Sequence, residues 1–366
     1  MKKLLALCLA VILVFSLAAC GAKEEAPASA PAAAPAAAPA EKAEAPAAEP
    51  GKYNVEGLDP VQLTLAHHSS PTEIDCLYIE DWMAAVTEAS EGKITFSYHP
   101  GAELGGQAEL IESLNLGVID MGKVNPSMLT SICPEMGLLT LPYLFEDFDM
   151  MAEITDGEIG QAIVNLMEER TDTILLNWYW QGWRIFDTDV PLNSLDDCKG
   201  VVLRSAEASI YIDTFTKMGF SPTPLAMSEI YTAMQTGVVD GFDSTLQVIL
   251  NGEYQKIAPY ICASNHMICV NCLTINKDVW NSLPEVYQQI MKDALVDNTL
   301  EERVAAIELE KELYAQAEGA GATVTQLSNT PEEMTELFRD YWYEWAESVS
   351  PEAVELLDMI VELKEG

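Results

Sequence analysis

The chain has 366 residues and a formal net charge of −39, with 58 Asp and Glu against 19 Lys and Arg. Such an acidic surface repels nucleic acids and anionic lipid headgroups, which disfavours both as partners. Residues 57–366 are long enough for two domains or for one two-lobed unit. Because an anionic ligand needs a local positive site, each Arg outside a surface helix is a candidate binding residue.

The N-terminus has the features of an exported lipoprotein. Two lysines precede an apolar run, residues 4–17, that is too short to span a bilayer. The following Leu17-Ala-Ala-Cys20 resembles a bacterial lipobox, in which small residues permit cleavage and the thiol accepts an acyl chain. We therefore predict a signal peptide over residues 1–19 and a membrane lipid anchor on Cys20. The alternative is an uncleaved N-terminal helix.

Residues 20–56 form the next segment, which is mostly Ala, Pro and Glu and has no aromatic residue before Tyr53. A segment with almost no branched apolar side chains cannot bury a core. We therefore predict a disordered tether between the lipid and the folded region.

The first half of the folded region alternates short strands with helices. Alternating hydrophobicity predicts strands over 61–67 and 94–99, and helical spacing predicts helices over 73–90 and 107–116. A short third strand is predicted over 117–121. This order predicts a parallel α/β arrangement.

The same pattern returns in the second half and is followed by longer elements. Strands are predicted over 173–179, 201–204, 238–241 and 267–276, and helices over 209–218, 228–235, 284–318 and 331–363, the last broken near Pro351. Two α/β lobes are therefore expected. Lobe I comprises 57–182 plus about 268–300, and lobe II comprises 183–267 plus about 301–366. Ligands of such sheets bind in a cleft at the carboxyl ends of the strands.

No catalytic motif is present. The chain lacks a GxSxG elbow, a P-loop, HExxH and GxGxxG, and it has only four His. We predict a protein that is not an enzyme and has no cofactor, with a lipid-anchored hydrolase using an Asp or Glu pair as a weaker alternative. His67-His68, at a strand end, could bind a metal, but we expect one ring to pack and the other to face the cleft.

Beyond the signal peptide and Cys20, six cysteines remain, at positions 76, 133, 198, 262, 269 and 272. Export permits disulfides, but the spacing requires none. Cys269 and Cys272 form a lone CxxC, and residues three apart in a strand point to opposite faces. Buried free thiols are expected, with disulfides or a metal or redox site as alternatives.

Two arginines stand at predicted strand ends among apolar residues. Arg184 follows Gly182, and Arg204 ends the strand 201–204. The planar guanidinium can donate two parallel hydrogen bonds to a carboxylate, which makes both residues candidate ligand contacts. The alternative for each is an ion pair within the protein. Trp180 and Trp183 could wall the same pocket, although core packing is the other interpretation.

Several segments, taken in order, match the sequence pattern of a known family. They are residues 101–106 (GAELGG), 117–121 (GVIDM), 133–145 (CPEMGLLTLPYLF), 182–184 (GWR), 197–204 (DCKGVVLR), 219–224 (GFSPTP) and 227–241 (MSEIYTAMQTGVVDG). The ordered set resembles the DctP-type extracytoplasmic solute-binding proteins of tripartite ATP-independent periplasmic (TRAP) transporters, over nearly all of residues 60–300. The resemblance implies a two-lobed periplasmic-binding-protein-like fold with crossover strands, a long inter-lobe helix and a cleft that closes on a small organic acid. It also implies delivery of that acid to a TRAP permease with small and large membrane subunits.

The resemblance assigns roles to particular residues. Arg204 is in the position of the family's carboxylate clamp, and Arg184 is in that of a second positive contact. Ser244 replaces the family's usual Asn, and Asp243 replaces its usual Glu. The remaining implied contacts are His68, Gln107, Asn125 and Met227.

The sequence does not identify the ligand. The tryptophans near Arg184 permit an aromatic or branched acid, and a C4-dicarboxylate is also compatible. A binding protein for a neutral or metal-bound solute, using His67, His68 and Asp243, is the alternative.

Overall fold

A mixed β-sheet runs through the computed structural model, which describes residues 52–365. Its strands are β1 (Val61–His67), β2 (Ile94–His99), β3 (Met121–Val124), β4 (Thr173–Thr188), β5 (Val202–Ser205), β6 (Ser221–Pro224), β7 (Gly241–Thr245), β8 (Tyr260–Asn276) and β9 (Thr323–Thr325). The helices are α1 (Ile74–Ala89), α2 (Gln107–Asn115), α3 (Pro126–Leu129), α4 (Phe148–Asp156), α5 (Glu158–Arg170), α6 (Ser209–Met218), α7 (Ile230–Gln235), α8 (Leu246–Asn251), α9 (Lys277–Ser282), α10 (Glu285–Gly319), α11 (Pro331–Val349) and α12 (Pro351–Glu365).

The sheet consists of two parallel units joined by two long strands. Its order is β2-β1-β3-β8-β4-β7-β5-β6, with β9 paired to β8. β1 is parallel to β2 and β3, and β5 is parallel to β6 and β7. β4 and β8 are antiparallel to each other and cross between the units. We call β1–β3 with their helices the first lobe and β5–β7 with theirs the second lobe; the two-lobed α/β class is confirmed.

The third strand of the first lobe and its counterpart in the second lobe begin later than predicted. The expected ranges were 117–121 and 238–241, whereas β3 begins at residue 121 and β7 at residue 241. Gly117 and Gly237 have φ values of 68° and 69°, so each turns the chain just after a helix. Such left-handed turns are a common way to end a helix, and they delay the strand that follows.

An aspartate stands before each of these strands and fixes its neighbour. Asp120 accepts a hydrogen bond from the backbone N–H of Thr64 at 2.6 Å. Asp240 accepts one from the backbone N–H of Val202 at 2.7 Å. The GVID and GVVD motifs therefore perform the same structural task in the two lobes.

β4 continues to Thr188 and does not end near residue 179 as predicted. The prediction took Gly182 as the end of the strand and so placed Arg184 at a strand end. In the structure Gly182 has a φ of 106° and lies at a bulge, where the pairing with β8 shifts register after Trp180. Glycine adopts this conformation at little cost, so the strand bends and continues. Arg184 lies inside β4, which corrects the prediction.

β8 is also longer than predicted. It begins at Tyr260 and not at residue 267, because residues 260–262 pair with both β9 and the end of β4. The polar run Ser264-Asn-His266 interrupts the apolar pattern and concealed this part of the strand.

The long helix α10 contributes side chains to hydrophobic clusters of both lobes, and its bounds agree closely with the predicted 284–318. Near its start, Trp82 of α1 donates its indole N–H to the carbonyl of Met291 at 3.0 Å. Near its end, Leu313 and Ala317 pack with Ile249 of α8. One rigid element therefore runs along both lobes.

The helices α11 and α12 are separated at Pro351, as predicted. Trp342 of α11 donates its indole N–H to the carbonyl of Pro142 at 2.8 Å. Tyr341 donates to Asp213 of α6 at 3.4 Å. The C-terminal region therefore contacts both the segment after α3 and the second lobe. The exact lobe boundaries stay a prediction.

The first described residues, Lys52 and Tyr53, are bound to the fold. Lys52 Nζ and Tyr53 Oη both contact Asp293 of α10, at 2.9 and 2.5 Å. Val55 is 2 % exposed. Residues 52–56, which the prediction assigned to the tether, therefore include side chains that contact the fold. The signal peptide, Cys20 and the rest of the tether lie outside the described residues. Within residues 52–365, no helix has both the length and the hydropathy of a membrane span.

Candidate functional site

A cleft of about 220 Å³ is lined by side chains from both lobes. Most of them stand where a strand ends or a helix begins, as expected for this class of sheet. The cleft brings together these residues named by the sequence: His68, Gln107, Asn125, Arg184, Arg204, Met227 and Ser244. Asp243, Trp180 and Trp183 are not on its surface.

Arg204 lies in β5 and is 5 % exposed. Its Nε donates to the carbonyl of Leu225 at 2.9 Å, and it forms no ion pair with any residue in the described part of the chain. Burial and, to a smaller extent, Arg184 lower the pKa of Arg204 to about 10, against the attraction of Asp243. The buried cation therefore lacks the partner that buried charges normally have.

Arg184 lies in β4 and is 9 % exposed. Its Nε donates to Asp243 Oδ2 at 2.6 Å, and its Nη2 donates to the backbone carbonyl of Asp243 at 3.1 Å. Its Cζ lies 4.9 Å from the ring centroid of Tyr211, which is a cation–π distance. Arg184 therefore forms the ion pair that the sequence left as an alternative, while still lining the cleft.

Asp243 is fully buried in β7 beneath Arg184. Although burial raises the pKa of this carboxyl, Arg184 and His266 hold the pKa well below its usual range. His266 Nε2 lies 3.4 Å from Asp243 Oδ2. The predicted ligand contact at residue 243 is corrected: this carboxylate contacts Arg184 and not the cleft.

His68, Gln107 and Asn125 form a chain of contacts on the first-lobe side. Gln107 Nε2 lies 3.3 Å from His68 Nε2, and Gln107 Oε1 accepts from the backbone N–H of Asn125 at 2.8 Å. Burial, with the nearby Lys123 and Arg204, lowers the pKa of His68 to about 3. His68 is therefore a neutral ring that can accept one hydrogen bond and donate another.

Asn125 has a structural task besides lining the cleft. Its Oδ1 accepts from the Ser127 backbone N–H at 3.0 Å and caps α3, and its Nδ2 donates to the Val270 carbonyl at 3.0 Å. Because these bonds already use both ends of the amide, Asn125 has little remaining hydrogen-bonding capacity for a ligand.

Trp180 and Trp183 pack away from the cleft. Trp180 is 2 % exposed, stacks on Phe148 and lies under the guanidinium of Arg303. Trp183 also contacts Phe148, and its backbone N–H donates to Glu310 at 3.2 Å. The structure favours core packing for both rings, so the expectation that they wall the ligand pocket is corrected.

Several lining residues had no signal in the sequence, namely Ser69, Ser70, Glu73, Ser127, Gln181, Tyr211, Tyr254 and Asn271. Gln181 was the most accessible to prediction, because it alternates with Trp180 along β4 and so faces the other way. Tyr211 lies in α6 and Glu73 immediately precedes α1, and the position of both helices against the cleft depends on the tertiary fold.

A cluster of Glu73, Asp75 and Cys76 has ligand atoms within 4.8 Å of one another, which is compact enough for a metal ion. The ammonium of Lys123 stands among them. It lies 2.5 Å from Asp75 and 3.2 Å from the Cys76 sulfur. A fixed cation therefore already neutralises these groups. His67 bonds to the hydroxyl of Tyr98 at 2.6 Å, so it does not act with His68 as a pair.

The six cysteines of the described region are all buried free thiols, as expected from their spacing. Cys269 lines the cleft and donates its S–H to Gln181 at 3.2 Å. Burial raises the pKa of Cys269 and of Cys272, which keeps both as thiols.

Comparison with known proteins identifies the group to which this arrangement belongs. Residues 65–348 match the family described as bacterial extracellular solute-binding protein, family 7. The chain belongs to this family. Family members bind solutes outside the cytoplasm, so the cleft is a binding site and the protein is not an enzyme.

Individual relatives agree in sequence and structure. A solute-binding protein of Chromohalobacter salexigens is 30% identical over 226 residues, covering 62% of this chain and 67% of its own. The C4-dicarboxylate-binding periplasmic protein DctP of Rhodobacter capsulatus is 27% identical over 276 residues, covering 74% and 79%. The crystal structure of a TRAP periplasmic solute-binding protein from Sulfitobacter, with bound β-D-galacturonate, superposes with a TM-score of 0.77 at 25% identity, covering 82% and 99%.

Proposed function

We propose that the solute is a small organic acid and that Arg204 binds its carboxylate. The observation that carries this proposal is the unpaired, buried charge of Arg204 in the cleft. A carboxylate would accept two charge-assisted hydrogen bonds from the free side of the guanidinium. The ligand would thus supply the negative charge that no carboxylate of the described residues supplies to Arg204. The relatives named for a C4-dicarboxylate and bound to galacturonate both take organic acids.

Arg184 makes the second contact in this proposal, and Asp243 orients it. Because Asp243 already balances the charge of Arg184, Arg184 would contribute oriented N–H donors more than electrostatic attraction for the ligand. Ser244, Met227, His68 and Gln107 complete the contacts, since all four line the same cleft. Asn125 contributes mainly by shaping the cleft at the start of α3.

Lobe closure is the mechanism that this geometry supports. Arg204 belongs to the second lobe and His68 to the first, so a ligand that touches both stabilises the closed arrangement by its differential affinity. β4, β8 and α10 are the elements that connect the lobes. The closed form would then deliver the acid to the small and large membrane subunits of a TRAP permease.

The experiment is calorimetric titration of the mature chain with organic acids, comparing Arg204→Ala and Arg204→Lys with wild type. We expect each substitution to weaken binding by about 100-fold or more, because a buried charge-assisted pair is lost or loses its planar fork. Arg339→Ala is the matched control, since Arg339 lies on α11 and pairs with Glu365. Unchanged affinity in Arg204→Ala, with the fold intact by circular dichroism, would refute the clamp.

We also propose that the protein is held at the membrane by a lipid on Cys20. The supporting feature is the lipobox-like Leu17-Ala-Ala-Cys20 after a short apolar run. Cells expressing the full chain should incorporate labelled palmitate into it and retain it in the membrane fraction. Cys20→Ala should abolish both results. Cys8→Ala, inside the predicted signal peptide, is the control, and equal labelling of the Cys20 variant would contradict the anchor.

A further inference from the structure

β4 has its bulge where the strand passes from one lobe to the other. Residues 173–178 pair with the part of β8 that also pairs with β3 of the first lobe. Residues 184–188 pair with β7 of the second lobe. The bulge at Gly182 lies between these two parts. Because a bulge disrupts the ladder of hydrogen bonds, the buried N–H groups beside it need other acceptors.

Two carboxyl groups of α10 accept the N–H groups on either side of Gly182. The Trp180 backbone N–H donates to Glu302 Oε1 at 2.9 Å, and the Trp183 backbone N–H donates to Glu310 Oε1 at 3.2 Å. Glu302 is fully buried and Glu310 is partly buried. The Glu310 carboxyl lies 3.6 Å from the point where a Cβ at residue 182 would stand. We call Glu302 and Glu310 the α10 clamp, because they hold the bulge at two points.

The residues that the bulge carries reach the ligand cleft. Gln181 lines the cleft, donates its side-chain amide to Glu73 and accepts from Cys269 Sγ at 3.2 Å. Arg184 follows the bulge and also lines the cleft. The backbone conformation at the bulge therefore sets where both side chains stand in the cleft.

We propose that the α10 clamp, Glu302 with Glu310, positions the β4 bulge for ligand binding. The clamp fixes the bulge conformation that directs Gln181 and Arg184 into the cleft. Because β4 connects the lobes, a change of conformation at the bulge would move these contacts relative to the first lobe. This inference rests on the proposed contact between Arg184 and the ligand, and it adds the residues that set the position of Arg184.

The clamp favours neutral carboxyl groups. Burial is the main cause that raises the pKa of Glu302 well above its usual range and the pKa of Glu310 to about 7, although the bonds from the backbone N–H groups oppose both shifts. The carbonyl oxygen of a neutral carboxyl still accepts an N–H. A bulge that separated from α10 would expose Glu310 to water and return its pKa toward the usual range. Protonation therefore favours the clamped conformation, and raising the pH from 6 to 8 weakens it.

The groups packed around Glu310 keep their charge states over this pH range. On α10, burial raises the pKa of Tyr314, Lys311 is exposed, and Arg303 is already ion-paired. Cys262 of β8 contributes to the shift at Tyr314, and burial raises the pKa of this thiol to about 12. The residues that β4 and α8 present to the same space are uncharged, namely Gly182, Trp183, Leu246 and Gln247. Glu310 is therefore the group expected to titrate at the bulge near neutral pH.

The test is calorimetric titration of the mature chain with D-galacturonate and succinate between pH 6 and pH 8. In wild type the affinity should fall over this range by up to about tenfold, because Glu310 ionises. Glu310→Gln keeps an acceptor for the Trp183 N–H and cannot ionise, so its affinity should not change with pH. Glu312→Gln, exposed on the same helix, is the matched control and should keep the wild-type pH dependence.

Removal of the acceptors tests the positioning directly. Glu302→Leu and Glu310→Leu each leave a backbone N–H of β4 without its acceptor. Each should weaken binding of the probes by about tenfold at pH 6. Glu302→Gln, which keeps an acceptor at the same place, should bind within about threefold of wild type.

A folded Glu310→Leu that binds the probes as tightly as wild type would show that the clamp is structural only, and this result would overturn the inference. If the leucine variants fold poorly, identical pH profiles for wild type and Glu310→Gln would overturn it instead. In either case Arg204→Lys still weakens binding, and the proposed function stands. If no organic acid binds wild type, the proposed function fails and this inference fails with it.

Discussion

The two cleft arginines are buried to nearly the same extent, yet their charges are balanced in opposite ways. Arg184 is 9 % exposed and holds Asp243 at 2.6 Å, whereas Arg204 is 5 % exposed and donates to the backbone carbonyl of Leu225 at 2.9 Å. β7 lies between their strands and supplies the carboxylate that one of them uses. In the proposed function the unpaired guanidinium of Arg204 binds the carboxylate, and the paired guanidinium of Arg184 is held in place by Asp243.

Lys123 and Arg303 extend this comparison. Lys123 faces Asp75, and Arg303 forms a two-pronged pair with Asp156 at 2.6 and 2.8 Å. Both are 6 % exposed or less. Among these buried cations of the described region, Arg204 alone has no carboxylate. The proposed function supplies the missing anion as the carboxylate of the ligand.

The largest effect is expected from breaking the structural pair. Arg184→Met should lower the free energy of unfolding by about 3–5 kcal/mol, because Asp243 would remain buried without its main partner. Urea unfolding of the ligand-free protein at neutral pH measures this. The double variant Arg184→Met with Asp243→Leu should recover most of the loss, since no isolated charge then remains. A single variant as stable as wild type would show that the pair contributes nothing.

Much of the fold could be predicted from local patterns. β1, β2 and α10 appear close to where periodicity and end signals place them. The longer strands could not be predicted in full. A glycine after an apolar run is typical of a strand end, but pairing with β8 holds Gly182 in a bulge within β4. The bulge cannot be predicted from the neighbouring residues, because the strand that pairs with β4 lies far along the chain.

The site residues also fall into some that could be predicted from local sequence and some that could not. Arg204 and Ser244 follow recognisable motifs, so their presence at the cleft could be expected. Glu73, just before α1, and Tyr211, in α6, have no local signal, because both helices must pack before these side chains reach the cleft. The partner of Arg184 was equally hidden: residue 243 was named as a ligand contact, and only the pairing of β4 with β7 shows that it neutralises Arg184.

A smaller effect of opposite sign is expected at Arg204. Arg204→Met should leave the ligand-free protein as stable as wild type or raise the free energy of unfolding by about 1 kcal/mol, because it replaces an unpaired buried charge with an apolar chain of similar length. The loss of the bond to Leu225 offsets part of the gain. Urea unfolding without ligand measures this change, and Arg204→Lys, which keeps a charge, serves as the control.

The same variant should lose the thermal stabilisation that a bound acid gives. In wild type, an acid at about 100 times its dissociation constant adds about 2.7 kcal/mol to the unfolding free energy. In Arg204→Met this increment should disappear while the ligand-free stability holds. If Arg204→Met instead destabilised the free protein as much as Arg184→Met, Arg204 would have a structural anion after all. The contrast between the two arginines would then be lost.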